Sequence, residues 1–187
     1  YAWIHQQEII EKYLRGVLPE LTEYSSLNSI CLTNEPVYNI MLYPDYYNPL
    51  FRDYLKGIYN NSISVLNEKC GTSYNSFESI SITDVVADSG LVYDRINFND
   101  KVFTDWHKWI VSIVREYLPS TPIHCKVMNY FGVPNDDDGL VRGTDIELFS
   151  EFCDYAGCDS WDYIDDVSKY YEEMFYYDYM RTVIGKP

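Results

Sequence analysis

A carboxylic acid follows the first short apolar run of this chain. Residues 29–33 (SICLT) have the composition of a buried parallel strand, and Asn34, Glu35 and Pro36 come directly after it. Catalytic groups of parallel α/β proteins lie at the carboxyl ends of strands, so Glu35 stands where a carboxyl group could give and accept a proton. The other interpretation is a solvated Glu in the following turn. The tripeptide alone does not decide between them, because short motifs recur by chance.

The elements that must position this residue alternate between helices and strands. This pattern is typical of parallel strands joined by crossover helices, so we predict an α/β fold, with another small α/β sandwich as the alternative. The last predicted helix is followed by Gly-Lys-Pro, which resembles the start of another strand, so we expect a piece of a longer protein. Apolar residues at helical spacing predict helices over 5–18, 49–71, 102–118, 145–155 and 168–184, and short apolar runs predict strands at 29–33, 123–128 and 158–163.

Charge and composition argue against several classes of function. The 187 residues carry 14 Lys and Arg against 29 Asp and Glu, and a formal net charge of −15 repels both nucleic acid and anionic membranes. No stretch reaches the ~20 consecutive apolar residues of a membrane-spanning helix. The five cysteines and three histidines lack the spacings of zinc sites, and the acidic loop 135–139 is out of register for calcium. We therefore expect buried thiols, no metal and no cofactor.

Three segments of the chain resemble a known family of enzymes. They are the strand ending LTNEP (32–36), the stretch FRDYLKGIYNNSISVLNEKCGTSYNSFESI (51–80) and the stretch VFTDWHKWIVSIVREYLPSTPIHCKVM (102–128). Together they are similar to retaining glycoside hydrolases of the TIM-barrel clan, and within it to the β-galactosidase-like enzymes of glycoside hydrolase family 42. The second segment is the most specific of the three, and it departs from the family pattern at Cys70, where an aromatic residue is usual.

This resemblance implies a fold and an activity. Residues 1–187 would form a single domain from the middle of a (β/α)8 barrel, with the predicted strands as the fourth, fifth and sixth. A complete barrel takes about 250 residues, so not all eight units would be present. The family hydrolyses O-glycosidic bonds by a retaining double displacement, which needs an acid/base and a nucleophile. Glu35 matches the acid/base, Asn34 matches the neighbour that binds the sugar 2-hydroxyl, and the nucleophile would lie beyond Pro187.

Further substrate-binding residues follow from the same placement. If alternate residues of the strand 123–128 face the helices, Lys126 points into the barrel. There Lys126 could bind a substrate hydroxyl, bias the protonation of Glu35, or fill the barrel as half of an ion pair. Four more residues at strand exits would face the cleft: Tyr38, Asn129, Asp159 and Trp161.

The expected partner is an oligosaccharide or polysaccharide substrate, and neither nucleic acid nor membrane is expected. The isolated chain should be nearly inactive, and the exposed edges of a partial barrel favour self-association. A polysaccharide-degrading enzyme is more often secreted or periplasmic than cytoplasmic, so we favour export. Two other interpretations stay open. One is a non-catalytic carbohydrate-binding or degenerate TIM barrel in which Glu35 holds a hydroxyl, and the other is a self-contained α/β interaction protein.

Overall fold

The computed structural model describes residues 2–85, 89–128, 143–159 and 167–185. Helices and strands alternate along these ranges as the sequence predicts. The elements are α1 (Ala2–Leu21), β1 (Ile30–Asn34), a 3-10 helix (Ile40–Leu42), α2 (Pro44–Ile58), α3 (Ile63–Cys70), a second 3-10 helix (Phe77–Ser79), α4 (Val92–Tyr117), β2 (Ile123–Met128), α5 (Ile146–Ser150), β3 (Gly157–Asp159) and α6 (Val167–Ile184).

The three described strands form one parallel sheet in the order β1-β2-β3. Asn34 lies opposite Lys126 across the β1–β2 pair, and Met128 lies opposite Asp159 across the β2–β3 pair. Parallel neighbours need crossover connections, and α4 and α5 lie in those connections. The predicted α/β fold is therefore confirmed, and β2 has the predicted bounds.

The helix predicted over residues 49–71 is two helices in the structure. The first begins at Pro44, where proline is favoured because the first helical N–H needs no partner. Asn60 and Asn61 then adopt φ of 51° and 56°, the left-handed conformation that asparagine tolerates better than most residues. Ser62 caps α3 by accepting a hydrogen bond from the Val65 N–H. The apolar spacing continues across this break, which is why it predicts one helix.

Helix α4 begins at Val92, ten residues before the predicted start at Val102. The added turns carry Asp94, Arg95 and Asn99, three polar residues that are nonetheless buried. Periodicity of apolar residues cannot detect a buried face that is polar. The prediction was therefore wrong about the N-terminal boundary of this helix.

Four clusters of buried side chains hold the described elements together, and the smallest joins Val127 of β2 to Tyr176 and Met180 of α6. One lies beneath α2, α3 and the segment that follows, with Phe51, Leu55 and Leu66 fully buried. A second joins α1 to α4 and to Ile123 of β2. A third places Cys125 of β2 against aromatic residues of α4 and α5. Burial of Ile123, Cys125 and Val127 confirms that alternate residues of β2 face the helices.

None of the described helices is long and apolar enough to cross a bilayer.

Candidate active site

Glu35 is the first residue after β1, at the carboxyl edge of the sheet. Its backbone N–H donates to the carbonyl of Lys126 over 2.8 Å, so the residue is tied to the neighbouring strand. Its φ is 50°, a left-handed conformation that is unfavourable for a residue with a side chain. Such conformations cost about 1–3 kcal/mol and occur most often at functional sites. The carboxyl group is partly buried.

The ends of the other two strands lie beside Glu35. Asn34 is exposed at the end of β1, and Lys126 is its register partner on β2. Asp159 ends β3 opposite Met128, so backbone pairing brings Asp159 to the same edge. Adjacent strands are about 4.8 Å apart, which places Asn34 and Lys126 within reach of one small ligand. Two more predicted contacts, Asn129 and Trp161, lie outside the described residues.

The segment that leaves β1 packs against α2 and α4. Tyr38 stacks on Phe103 of α4 with ring centroids 5.3 Å apart, and its hydroxyl pairs with the Tyr47 hydroxyl over 2.6 Å. Burial raises the pKa of Tyr47, and the hydrogen bond to Tyr38 raises it further. The Tyr38 phenol therefore belongs to a packed aromatic group behind the strand exit.

A buried histidine supports β1 from the helix side. His107 of α4 is fully buried, with Nε2 2.9 Å from the Thr33 hydroxyl and Nδ1 2.8 Å from the Phe103 carbonyl. A carbonyl oxygen only accepts, so Nδ1 carries a proton and donates to Phe103, while Nε2 is hydrogen-bonded to the Thr33 hydroxyl. Thr33 immediately precedes Asn34, so this contact fixes the end of the strand next to the site.

Two thiols complete this supporting layer. Cys125 and Cys153 are both buried and hydrogen-bonded to each other. That hydrogen bond lowers the pKa of Cys125, which also contacts His107 and Thr33, and it raises the pKa of the donor Cys153 together with burial. The prediction of buried thiols is confirmed for these two residues. It is wrong for Cys31, which is exposed on the β1 edge.

Sequence reasoning missed the polar residues of α4 that contact β1 and the segment after it. Asn99 and His107 lie two turns apart on α4, and both contact β1 or its exit. The i, i+4 spacing of Arg95, Asn99, Phe103 and His107 would have indicated a common face. The signal was hidden because the predicted helix began after Asn99.

The described part of the chain offers no set of metal ligands. Those residues contain no group of three or more His, Cys, Asp or Glu side chains able to hold an ion. The chemistry on offer at the strand ends is that of a carboxyl group, an amide and an amine.

A parallel sheet with crossover helices and polar side chains at its carboxyl edge is the arrangement of an α/β fold of the TIM-barrel or doubly wound kind. The chain belongs to the β-galactosidases of glycoside hydrolase family 42, whose family model matches residues 5–187. The resemblance of the three sequence segments to that family is thereby confirmed.

Solved structures agree with this assignment. Superposition on an exo-carrageenase of the same family from Bacteroides ovatus gives a TM-score of 0.69 at 25% identity, covering 92% of this chain and 27% of that one. A β-galactosidase from the psychrophilic Marinomonas ef1 gives a TM-score of 0.69 at 15% identity, covering 97% of this chain and 30% of that one. The described sheet thus corresponds to part of a family 42 TIM barrel.

A curated relative gives the same family. The β-galactosidase Pbg of Clostridium perfringens is 27% identical over 121 residues, which is 60% of this chain and 16% of that protein. The chain therefore spans less than a third of the length of each of these three relatives.

Proposed function

We propose that this chain supplies the acid/base half of the active site of a family 42 glycosidase, with Glu35 as the acid/base residue. In the first step Glu35 protonates the leaving-group oxygen while a nucleophilic carboxylate attacks the anomeric carbon. In the second step Glu35 deprotonates the water that hydrolyses the glycosyl-enzyme. The two carboxyl groups of such enzymes are about 5–5.5 Å apart. The nucleophile is proposed to lie in the strand that follows Pro187.

The observation that carries this proposal is the position of Glu35. It lies at the carboxyl edge of a parallel sheet, in a left-handed conformation, and is bonded through its N–H to the adjacent strand. Family membership adds that the matched region includes this strand. The left-handed conformation is less favourable for Glu35 than for Asn60 and Asn61, and the bond of the Glu35 N–H to β2 holds it there.

Asn34 and Lys126 are proposed as substrate-binding groups. Asn34 is exposed beside Glu35, where its amide can bind the sugar 2-hydroxyl, a contact that strengthens in the transition state. Lys126 lies opposite Asn34 and can donate to a second hydroxyl. Asn129, Asp159 and Trp161 stay predicted contacts. Tyr38 also stays a predicted contact; its ring stacks on Phe103 and its hydroxyl is hydrogen-bonded to Tyr47.

The proposed substrate class is β-galactosides. The family description and two of the relatives carry the name β-galactosidase, whereas the Bacteroides ovatus protein is an exo-carrageenase. The rest of the glycone pocket would come from barrel units outside these 187 residues. The chain by itself is expected to be nearly inactive, and the full-length parent is the active enzyme.

The test compares leaving groups in the full-length parent carrying Glu35→Gln. A general acid contributes about 10²–10⁴-fold, and its contribution is largest when the leaving group is basic. Glu35 also serves the second step, which is common to both substrates, so the quantity compared is kcat/KM, which reports the first step. We expect kcat/KM for an unactivated galactoside such as a disaccharide to fall by about that factor, with a smaller loss for a 2,4-dinitrophenyl galactoside. Steady-state kinetics on both substrates measures the difference.

Glu68→Gln is the matched control, because Glu68 is exposed on α3 and its replacement removes the same charge. It should leave both activities unchanged. Equal losses on the two substrates for Glu35→Gln would contradict the acid/base role. A wild-type parent that binds galactosides without turning them over would instead favour the degenerate carbohydrate-binding barrel.

A further inference from the structure

We propose that Asn99 is a positioning residue that holds Glu35 in place for proton transfer, through the chain segment that links Glu35 to Tyr38. This inference rests on the proposed acid/base role of Glu35. It assigns a function to a buried polar residue of α4 that lies outside the strand ends.

Asn99 bonds to the backbone on both sides of residue 39. Its Nδ2 donates to the Tyr38 carbonyl over 2.9 Å, and its Oδ1 accepts from the Ile40 N–H over 2.9 Å. The side chain is 1% exposed, so both bonds lie away from water. Bonds of this kind are costly to break, because each lost partner leaves a buried polar backbone group unsatisfied.

Hydrogen bonds hold both ends of the four-residue segment 35–38, which we call the tether. At one end the Glu35 N–H is bonded to the Lys126 carbonyl of β2 over 2.8 Å. At the other end the Tyr38 carbonyl is bonded to Asn99. Pro36, which lies between them, is buried and has a fixed φ. A segment of four residues held at both ends leaves the Glu35 backbone little freedom to move.

Other residues on the same face of α4 also contact β1 and the segment that follows it. His107 meets Thr33 before the site, and Phe103 stacks on Tyr38 after it. Arg95 reaches Met41 one turn beyond Asn99. These four α4 residues are spaced four apart, so one helix face follows the strand and its exit from residue 33 to residue 41. Among them, Asn99 holds the backbone directly on either side of a single residue.

The local packing leaves little room for the segment to settle elsewhere. A Cβ added to Gly143 would lie 3.1 Å from each of three atoms: Asn99 Nδ2, the Phe103 ring and the Tyr38 carbonyl. Gly143 is therefore packed directly on the tether. With φ of 73° it also occupies a conformation that favours glycine. Loss of the Asn99 amide would free the Tyr38 carbonyl while the surrounding packing remained.

The experiment places Asn99→Ala and Asn99→Asp in the full-length parent, with Glu35→Gln alongside. A misplacement of about 1 Å can cost about 100-fold in rate. We expect kcat/KM of both Asn99 variants, which reports the step in which Glu35 is the acid, to fall about 10- to 100-fold on a disaccharide substrate and less than about 3-fold on the 2,4-dinitrophenyl galactoside. Asn99→Asp keeps the side-chain volume and the acceptor for Ile40, so it tests the Tyr38 bond if Asn99→Ala does not fold.

Leu66→Ala is the control for simple destabilisation, because Leu66 is fully buried in α3, away from the site. It should lower thermal stability without changing the ratio of the two activities. If Glu35→Gln shows the leaving-group effect and neither Asn99 variant does, the positioning role is wrong and the acid/base role stands. If Glu35→Gln itself shows no such effect, the acid/base proposal fails, and the role of Asn99 fails with it.

Discussion

We predict that Asp100 of α4 makes the stability of the chain fall as pH rises. Burial raises the pKa of its carboxyl from 3.8 to about 7, and the nearby charge of Asp145 adds to the effect. Both causes disfavour the ionised form in the folded state and are absent when the chain is unfolded. The substitution Asp100→Asn removes the ionisation while keeping the size of the side chain.

The sign follows from which state holds the proton. Between about pH 4 and pH 7 the unfolded chain has released it and the folded chain retains it, so the free energy of unfolding decreases as pH rises. Above pH 7 the loss is complete. The shift from 3.8 to about 7 is about 3 units, which at about 1.36 kcal/mol per unit sets an upper value of about 4 kcal/mol. Because the side chain retains some exposure, we expect Asp100→Asn to be about 2–4 kcal/mol more stable than wild type at pH 8 and nearly equal at pH 4.

The assay is equilibrium urea unfolding of the 187-residue chain at several pH values from 4 to 8. Asp105→Asn is the control, because Asp105 is an exposed residue of the same helix and pairs with Lys101. An exposed pair contributes about 0–1 kcal/mol, so this variant should change little at any pH. A stability difference between Asp100→Asn and wild type that fails to grow from pH 4 to pH 8 would refute the reasoning.

Two further predictions concern packing, and both are measured by urea unfolding. Gly90→Ala should destabilise the chain by about 1–3 kcal/mol, because its new Cβ would overlap the Cys70 carbonyl. Its control is Gly57→Ala on α2, which has open space around it and should stabilise the chain by about 0.5–1 kcal/mol. Similar effects of the two substitutions would contradict the overlap. Leu55→Ala should lower the free energy of unfolding by about 2–5 kcal/mol, because Leu55 is fully buried. Its control is Leu42→Ala, at a position 71% exposed, which should change the free energy of unfolding by less than about 0.5 kcal/mol. A small effect at Leu55 would show that the cluster beneath α2 contributes little to stability.

The sheet could be predicted from local signals. Pro36 and Pro122 bound two apolar runs, and those runs became β1 and β2 within one residue of prediction. The helices were harder, because their boundaries depend on contacts. Asn60 and Asn61 break the helix predicted over 49–71 through backbone conformations that apolar spacing does not reveal. The start of α4 was missed since its first turns bury polar side chains.

The candidate site likewise has residues that local signals indicate and residues that only tertiary contacts reveal. Glu35 was proposed from its place after a strand, Asn34 from the resemblance to the family and Lys126 from the alternation of β2, and their roles stay predictions. The partners of the tether could not be chosen, because Asn99 lies 61 residues from Tyr38 along the chain. Such a pair forms when α4 packs on β1, and no local pattern records it.

The sequence by itself determined the alternation of helices and strands, the acidic character of the surface and the carboxyl group at the end of β1. These are local properties, set by residue type and by spacing over one or two turns. The tertiary structure alone decided the register of Asn34 with Lys126, the left-handed conformation of Glu35 and the contacts of α4 with the exit of β1. They depend on which distant segments meet, and that is settled by how the whole set of buried side chains packs together.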